Sequence, residues 1–246
     1  MKKLEINRIW FLVLVLFTMA LASCLEGNNG GGNGKCNSSY RPIINPWDFS
    51  AIINNPYLTF KPGTTFVYEG ETEDGTEHIE TMVTDRTRQI LGVDCVVVRD
   101  RVWLEGDLTE DTLDWYAQDP EGNVWYFGEY SQEIENGKVV GTEGSWEAGV
   151  DCAQPGIVMP GSPYVGQVYR QEYKQGEAED MGSILSLDES ITVKYGSFEH
   201  CLKTADYTPL EPKVVENKYY CPAVGGVVFE EMVQGGNEKA ELIDIK

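Results

Sequence analysis

The stretch VDCVVVRDRVWLEGDLTEDTLDWYAQDPEGNVWYFGE, residues 93–129, indicates the fold class most directly. Its three runs, Val93–Leu104, Asp111–Gln118 and Asn123–Glu129, are dense in Val, Thr, Trp, Tyr and Phe, which favour strands. Glu105-Gly106-Asp107 and Pro120-Glu121-Gly122-Asn123 separate them, and such residues favour tight turns. The stretch therefore predicts three consecutive antiparallel strands.

The same pattern is present before this stretch. Thr65–Glu71 and His78–Asp85 are further strand candidates, and no segment sustains a helical period. Only Glu177–Leu187 is compatible with a helix, and Gly182 weakens it. We predict a mainly β domain over residues 40–246, with an antiparallel sheet forming a sandwich or an open barrel.

Two halves of the chain resemble each other. Trp115-Tyr116-Ala117 matches Tyr219-Tyr220-Cys221 at an offset of 104, and Cys95–Asp100 matches Cys201–Asp206 at 106. Loops that differ in length by one or two residues would account for the change of this offset from 104 to 106. We predict two similar β units, at about residues 60–130 and 163–246; chance similarity between aromatic-rich strands is the alternative.

The first residues have the parts of a secretory signal peptide. Basic residues (Lys2, Lys3 and Arg8) precede the apolar run Trp10–Met19, which is shorter than the ~20 residues that span a bilayer. The following Leu21-Ala22-Ser23-Cys24 resembles the lipobox of bacterial lipoproteins. That resemblance implies removal of residues 1–23 and acylation of Cys24. Residues 24–39, rich in Gly and Asn, would then form a flexible tether to the cell membrane or outer membrane.

Charge restricts the partners. The chain has 19 Lys and Arg and 40 Asp and Glu; without residues 1–23 it keeps 16 basic and 39 acidic residues, a net charge of −23. Nucleic-acid binding needs a basic face, so this composition excludes it, and anionic lipid headgroups also recruit basic clusters. A solvated, repulsive surface explains the acidity; divalent-cation binding and a basic partner are the alternatives.

Cysteines occur at six positions: Cys24, Cys36, Cys95, Cys152, Cys201 and Cys221. No two are close enough to form a Cys-x-x-Cys metal site. A turn at residues 209–212 would fold 200–207 onto 214–221 and place Cys201 opposite Cys221, so we predict that bridge.

The other cysteines are harder to pair. With Cys24 lipidated, an odd number remains for an oxidising compartment. We assign Cys95 to Cys152 because it is the nearer candidate, which leaves Cys36 over.

Catalytic signals are few. The chain has two histidines, His78 and His200, and no Gly-x-Ser-x-Gly motif, so no catalytic residue is assigned. His200 and Cys201 are adjacent in a predicted strand and would point to opposite faces. Acidic pairs are too numerous to identify a hydrolase.

Acidic residues concentrate in two places. Five surround a predicted hairpin turn: Glu105, Asp107, Glu110, Asp111 and Asp114. Three more are Glu177, Glu179 and Asp180. Calcium takes six to eight oxygen ligands, often from one acidic loop, so the first group is a candidate calcium site. Neither group has the Asp-x-Asp-x-Asp-Gly spacing, and a solvated acidic loop is the alternative.

Aromatic residues concentrate in the three strands quoted first: Trp103, Trp115, Tyr116, Trp125 and Tyr126. They are candidates for a concave face that binds an apolar ligand; packing in the core of a large sheet is the alternative.

Two parts of the sequence resemble known groups of proteins. Residues 115–129 (WYAQDPEGNVWYFGE), with Gly144–Asp151, Pro155–Pro160 and Tyr169–Tyr173, resemble a widespread group of secreted bacterial proteins that has no assigned activity. The resemblance implies Gly or Ala at positions 152 and 221, so the disulfides would be additions in this chain. Residues 219–228 also resemble the closing hairpin of lipoprotein-carrier half barrels.

These observations favour an exported, non-enzymatic lipoprotein that binds an apolar ligand or mediates interactions at the cell envelope. A calcium-binding protein is the alternative, and a carboxylate hydrolase is third.

Overall fold

The computed structural model describes residues 40–246. The predicted signal peptide, Cys24, Cys36 and the tether lie outside the described residues. The strands are β1 (Ile53–Asn55), β2 (Leu58–Phe60), β3 (Thr65–Thr72), β4 (Gly75–Ile90), β5 (Val93–Leu104), β6 (Asp107–Gln118), β7 (Val124–Glu135), β8 (Lys138–Gly141), β9 (Trp146–Glu147), β10 (Gln154–Met159), β11 (Val168–Arg170), β12 (Glu172–Tyr173), β13 (Met181–Val193), β14 (Gly196–Tyr207), β15 (Val215–Cys221), β16 (Gly226–Gln234) and β17 (Lys239–Ile245).

A large antiparallel sheet dominates the fold. Its strand order is β11-β13-β14-β15-β16-β17-β3-β4-β5-β6-β7-β10-β12; β8 and β9 pair with β7, and β1 and β2 form a separate hairpin. The predicted mainly β class is confirmed, and the sheet is not closed into a barrel. The only helical element in residues 40–246 is a 3-10 turn at Pro46–Asp48. The helix-compatible segment instead leads into β13, because pairing with β11 and β14 overrides its local preference.

Two halves of the sheet have matching hydrogen bonds. The N–H of Gly63 donates to the carbonyl of Val83, and the N–H of Gly166 donates to that of Ile184, both at 2.9 Å. Both glycines have a positive φ, of 88° and 86°. These contacts lie at corresponding places in the two predicted units, which meet where β17 pairs with β3. Descent from a duplication stays a prediction.

The edges of the sheet are joined by one short segment. Tyr169 of β11 pairs with Gly182 of β13, and three residues later Glu172 of β12 pairs with Pro155 of β10. Residues 168–173 therefore contain both terminal strands of the order, β11 and β12.

The sheet has an inner face, on which the two units approach each other. The Tyr68 hydroxyl on β3 donates to the Val227 carbonyl on β16 at 3.0 Å. Tyr116 and Tyr126 stack with ring centroids 4.8 Å apart, and Phe60 packs on Tyr116 at 5.0 Å. Burial of these rings, each removing about 150–250 Å² from water, provides much of the core.

The cysteine predictions have mixed outcomes. Cys201 and Cys221 form a disulfide with a Cα–Cα distance of 4.3 Å, and the pairing of β14 with β15 has the expected register. The Cys95–Cys152 assignment is wrong: Cys95 is a buried free thiol, and Cys152 is disulfide-bonded elsewhere. Strand pairing sets the neighbours of Cys95, which lies opposite Arg88, whereas Cys152 belongs to the loop before β10.

Candidate functional site

The five aromatic candidates lie on two faces of the sheet. Tyr116 and Tyr126 are buried on the inner face. On the outer face, the guanidinium of Arg88 lies 4.3 Å above the Trp115 ring.

Trp103 and Trp125, the two remaining aromatic candidates, also point outward. Arg101 covers Trp103 at 4.8 Å, and Trp125 packs on Phe49 while its indole N–H donates to Asp119. The five aromatic candidates therefore do not lie together on one face, because neighbouring residues of a strand point to opposite sides.

The five acidic candidates are divided in the same way. Glu110 and Asp114 are buried on the inner face, whereas Asp111 pairs with Arg99 on the outer face. Glu105 accepts the Thr76 backbone N–H at 2.7 Å, and Asp107 is exposed. They do not form one ligand set. Within residues 40–246, no group of three or more His, Cys, Asp or Glu side chains is placed to hold a metal ion.

The remaining candidates are also separated. Glu177 pairs with Lys174, Glu179 accepts the N–H of Gly176 at 2.8 Å, and Asp180 is buried. Of the histidines, His200 contacts Asp188 at 2.6 Å on the surface, and His78 lies 3.6 Å from Glu80.

Sequence reasoning missed the most unusual feature of the molecule, a set of ionisable residues on the inner face. Its acidic members are buried, apart from Glu216, whose side chain is 15% exposed, whereas the overall acidity of the chain had suggested a solvated surface. The set comprises Glu77, Asp100, Glu110, Asp114, Glu129, Asp206, Glu216, Lys218 and Glu230, with Glu172 and Asp180 beside them. Strand alternation could have found some: Asp100 lies between Val98 and Val102, two positions away on either side, and both valines are buried.

One group within this set, here called the first centre, consists of Asp100, Glu110, Asp114 and Glu129. Asp114 lies opposite Glu129 across β6 and β7 and accepts the Tyr126 hydroxyl at 2.8 Å. Thr112 on the same strand donates to Glu110 at 2.7 Å.

Burial dominates the electrostatics of the first centre. It raises the pKa of Asp114 to about 8, although the hydrogen bond from Tyr126 lowers this pKa. The charge of Glu110 raises it further. Burial likewise raises the pKa of Glu110 to about 7, and it raises the pKa values of Asp100 and Glu129 well above their ordinary range. The first centre therefore binds protons near neutral pH.

A second group, here called the second centre, surrounds Lys218. Its ammonium nitrogen lies 3.6 Å from Asp206, 3.7 Å from Glu216 and 3.9 Å from Glu230. Burial by itself lowers the pKa of Lys218, but these carboxylates outweigh burial and raise it. Lys218 is therefore a charged counter-ion at any physiological pH.

Many polar atoms on the inner face have no hydrogen-bond partner. Among them are Oδ2 of Asp100, Oε2 of Glu77, both carboxyl oxygens of Glu230 and the Tyr116 hydroxyl. Each such buried group costs about 1–3 kcal/mol, and native proteins have few. A concentration of them on one face calls for a ligand, a shared proton or both.

Comparisons with known proteins give little further guidance. No family model matches the chain, and no curated protein matches it. A solved structure of a candidate lipoprotein from Parabacteroides distasonis is similar to it, with 13% sequence identity and a TM-score of 0.42. The similarity covers 77% of this chain and 98% of that one. In residues 40–246, no helix has the length and apolar character needed to cross a membrane.

Proposed function

We propose that the protein is a non-enzymatic binding protein of the cell envelope whose site is the polar part of the inner face. The observation that carries this proposal is the concentration of buried, unpartnered carboxyl and hydroxyl groups there. Such groups are costly for stability alone, so their presence favours a role in recognition.

The ligand class differs from the one that the sequence suggested. An apolar ligand would need the aromatic rings on one open face, but Tyr116 and Tyr126 pack on each other and Trp115 points to the opposite side. The inner face offers hydrogen-bonding groups instead, and these favour a polar ligand.

The location rests on the sequence. Residues 1–24 match a lipoprotein signal, and the Gly-rich stretch behind Cys24 would hold the β domain away from the membrane. A tethered domain of this kind suits capture of a ligand at the cell envelope.

A carboxylate hydrolase is less well supported. Asp114 and Glu110 have the raised pKa that a general acid needs. Glycosidases, however, hold a polymer between two facing carboxyls of a cleft, whereas Asp114 and Glu110 lie four residues apart on one strand.

Native mass spectrometry of the full chain, extracted in mild detergent from the membrane of its producing cell, tests the proposal. We expect a non-covalent mass that is lost on denaturation and is reduced in Asp114→Asn. Asp111→Asn is the matched control, because residue 111 lies on the same strand but on the outer face. A bare protein mass in every preparation would overturn the proposal.

A further inference from the structure

Two long segments of this acidic chain have almost no charged residues. Residues 40–60 contain one basic and one acidic residue, Arg41 and Asp48, and residues 152–169 contain none. The whole net charge of −23 therefore lies elsewhere in the predicted mature chain.

The two segments lie against each other. The Tyr40 hydroxyl donates to the Pro155 carbonyl at 3.0 Å, and Nδ2 of Asn55 donates to the Pro160 carbonyl at 3.1 Å. The surface that the segments form together is here called the neutral surface.

The neutral surface carries the six most exposed large apolar side chains of residues 40–246. Their exposed fractions run from 96% for Ile43 to 56% for Val168. The set is Ile43, Trp47, Ile52, Tyr164, Val165 and Val168. Single exposed apolar residues are ordinary, whereas a concentration of them marks a surface that meets another molecule.

The first segment of the neutral surface is held firmly on the sheet. Phe49 packs on Trp125 and Phe127, with ring centroids 5.9 and 5.5 Å apart. The backbone of Ser50 exchanges two hydrogen bonds with that of Gln118, at the end of β6, both at 2.9 Å. The segment therefore exposes its apolar side chains from a fixed backbone.

We propose that the neutral surface docks on the lipid bilayer that holds the acylated Cys24. This inference rests on the lipid anchor expected from the sequence, and it goes beyond the proposed function because it concerns how the domain lies at the membrane. Residue 40 follows Cys24 by 16 positions, and a Gly-rich chain of this length spans about 20–24 Å on average. Such a tether allows the domain to stand clear of the bilayer or to rest on it, and the exposed apolar side chains beside its attachment point favour the second arrangement.

Charge and side-chain type favour a bilayer over other occupants. Anionic headgroups repel the acidic remainder of the domain but not the neutral surface. Trp47 and Tyr164 are of the two residue types that concentrate at membrane–water interfaces. A second copy of the chain would bring two strongly acidic domains together, and their repulsion opposes that contact.

Quenching of tryptophan fluorescence by brominated phosphatidylcholine tests the docking, since the bromine atoms quench rings that contact the lipid. The full chain, extracted with its anchor, is reconstituted into vesicles of this lipid and compared with vesicles of the unbrominated lipid. We expect the wild type to be quenched, and Trp47→Phe to lose the part of the quenching that is due to Trp47. Trp103→Phe is the matched control and should keep the quenching, because Arg101 covers that ring on the outer face of the sheet.

Ile43→Asp tests the contact without removing the reporter ring. The side chain of Ile43 is exposed, so the variant should keep the unfolding temperature of the wild type, but its carboxylate should prevent insertion and remove the quenching of Trp47. Val139→Asp is the control, because Val139 is also exposed but lies on β8, which pairs with the far end of β7. It should leave the quenching unchanged.

The outcomes separate this inference from the proposed function. Equal quenching of the wild type and Trp47→Phe, or quenching that Ile43→Asp leaves unchanged, would overturn the docking. A dimer in detergent that Ile43→Asp dissociates, with no quenching in vesicles, would overturn it in favour of a second copy of the chain. Recovery of the chain in the aqueous fraction without detergent would remove the anchor and the docking with it. The bound mass that tests the proposed function does not depend on these readouts, so either proposal can fail while the other stands.

Discussion

Replacing Lys218 with Met removes the counter-ion of the second centre while keeping a long side chain. At an effective dielectric constant of about 20, a pair of unit charges at the 3.6 Å Lys218–Asp206 separation contributes about 4–5 kcal/mol. The other two pairs, at 3.7 and 3.9 Å, are similar. Desolvation of the ammonium group offsets much of this, and breaking a buried pair costs about 3–5 kcal/mol in measured cases. We therefore expect the free energy of unfolding to fall by about 3–5 kcal/mol at pH 8.

The loss should depend on pH in a defined direction. Burial raises the pKa values of Glu216 and Glu230, and Lys218 lowers them, so the variant has still higher values in the folded state. A carboxyl with a raised folded-state pKa contributes stability that is present at low pH and lost as the pH rises. The variant should therefore recover part of its stability at pH 5.

Urea unfolding followed by tryptophan fluorescence, at pH 8 and pH 5, measures both effects. Lys203→Met is the matched control, because Lys203 lies on the neighbouring strand with its ammonium group 4.8 Å from the outer-face Tyr219 ring, and about 1 kcal/mol is expected there. A loss below about 1 kcal/mol for Lys218→Met at pH 8, or one that does not change with pH, would refute the reasoning.

Three further perturbations test other parts of the structure. Raised carboxyl pKa values, including about 8 for Asp114, mean that the folded state holds more protons than the unfolded state. The free energy of unfolding should therefore fall from pH 5 to pH 8 by about 1.4 kcal/mol per pH unit for each such proton, and the urea midpoint should fall with it. Asp114→Asn should have a shallower dependence, and a midpoint that rises with pH would contradict this. Gly128→Ala should destabilise by more than ~2 kcal/mol in the same assay, since its Cβ would lie 2.3 Å from the Trp146 carbonyl oxygen at a φ of 127°. Gly137→Ala, with a φ of 71° and no atom within 4 Å, should cost ~1 kcal/mol; equal losses would count against the close approach at Gly128. Burial raises the pKa of the Cys95 thiol, so peptide mapping after iodoacetamide treatment should find it alkylated only in urea, and labelling of the native protein would show that the site opens.

The fold class could be predicted because it depends on local patterns. The three runs of residues 93–129 became β5, β6 and β7, and the turns Glu105-Gly106 and Pro120–Asn123 lie between them. The Cys201–Cys221 bridge was also accessible, because one hairpin register determines which residues face each other.

The candidate site could not be predicted, because it depends on how the sheet curls. Alternation shows that Asp111 and Asp114 point to opposite faces, but which of them is sealed from water depends on the second unit lying opposite the first. Asp100 and Glu230 are 130 positions apart in the sequence yet interact across the inner face. No local pattern contains that contact, so the sequence gives no reason to place these two residues together.

The place of β17 has a consequence for how the molecule is made. Among the strands of residues 40–246 it comes after all the others, yet it lies between β16 and β3, where it joins the two halves of the sheet. Until it emerges, the facing edges of β16 and β3 are unpaired, and the two halves lack their pairing at this point of the sheet. A chain that emerges amino terminus first would therefore stay incompletely folded until β17 is available, and removing β17 would divide the sheet between β16 and β3 rather than trim its border.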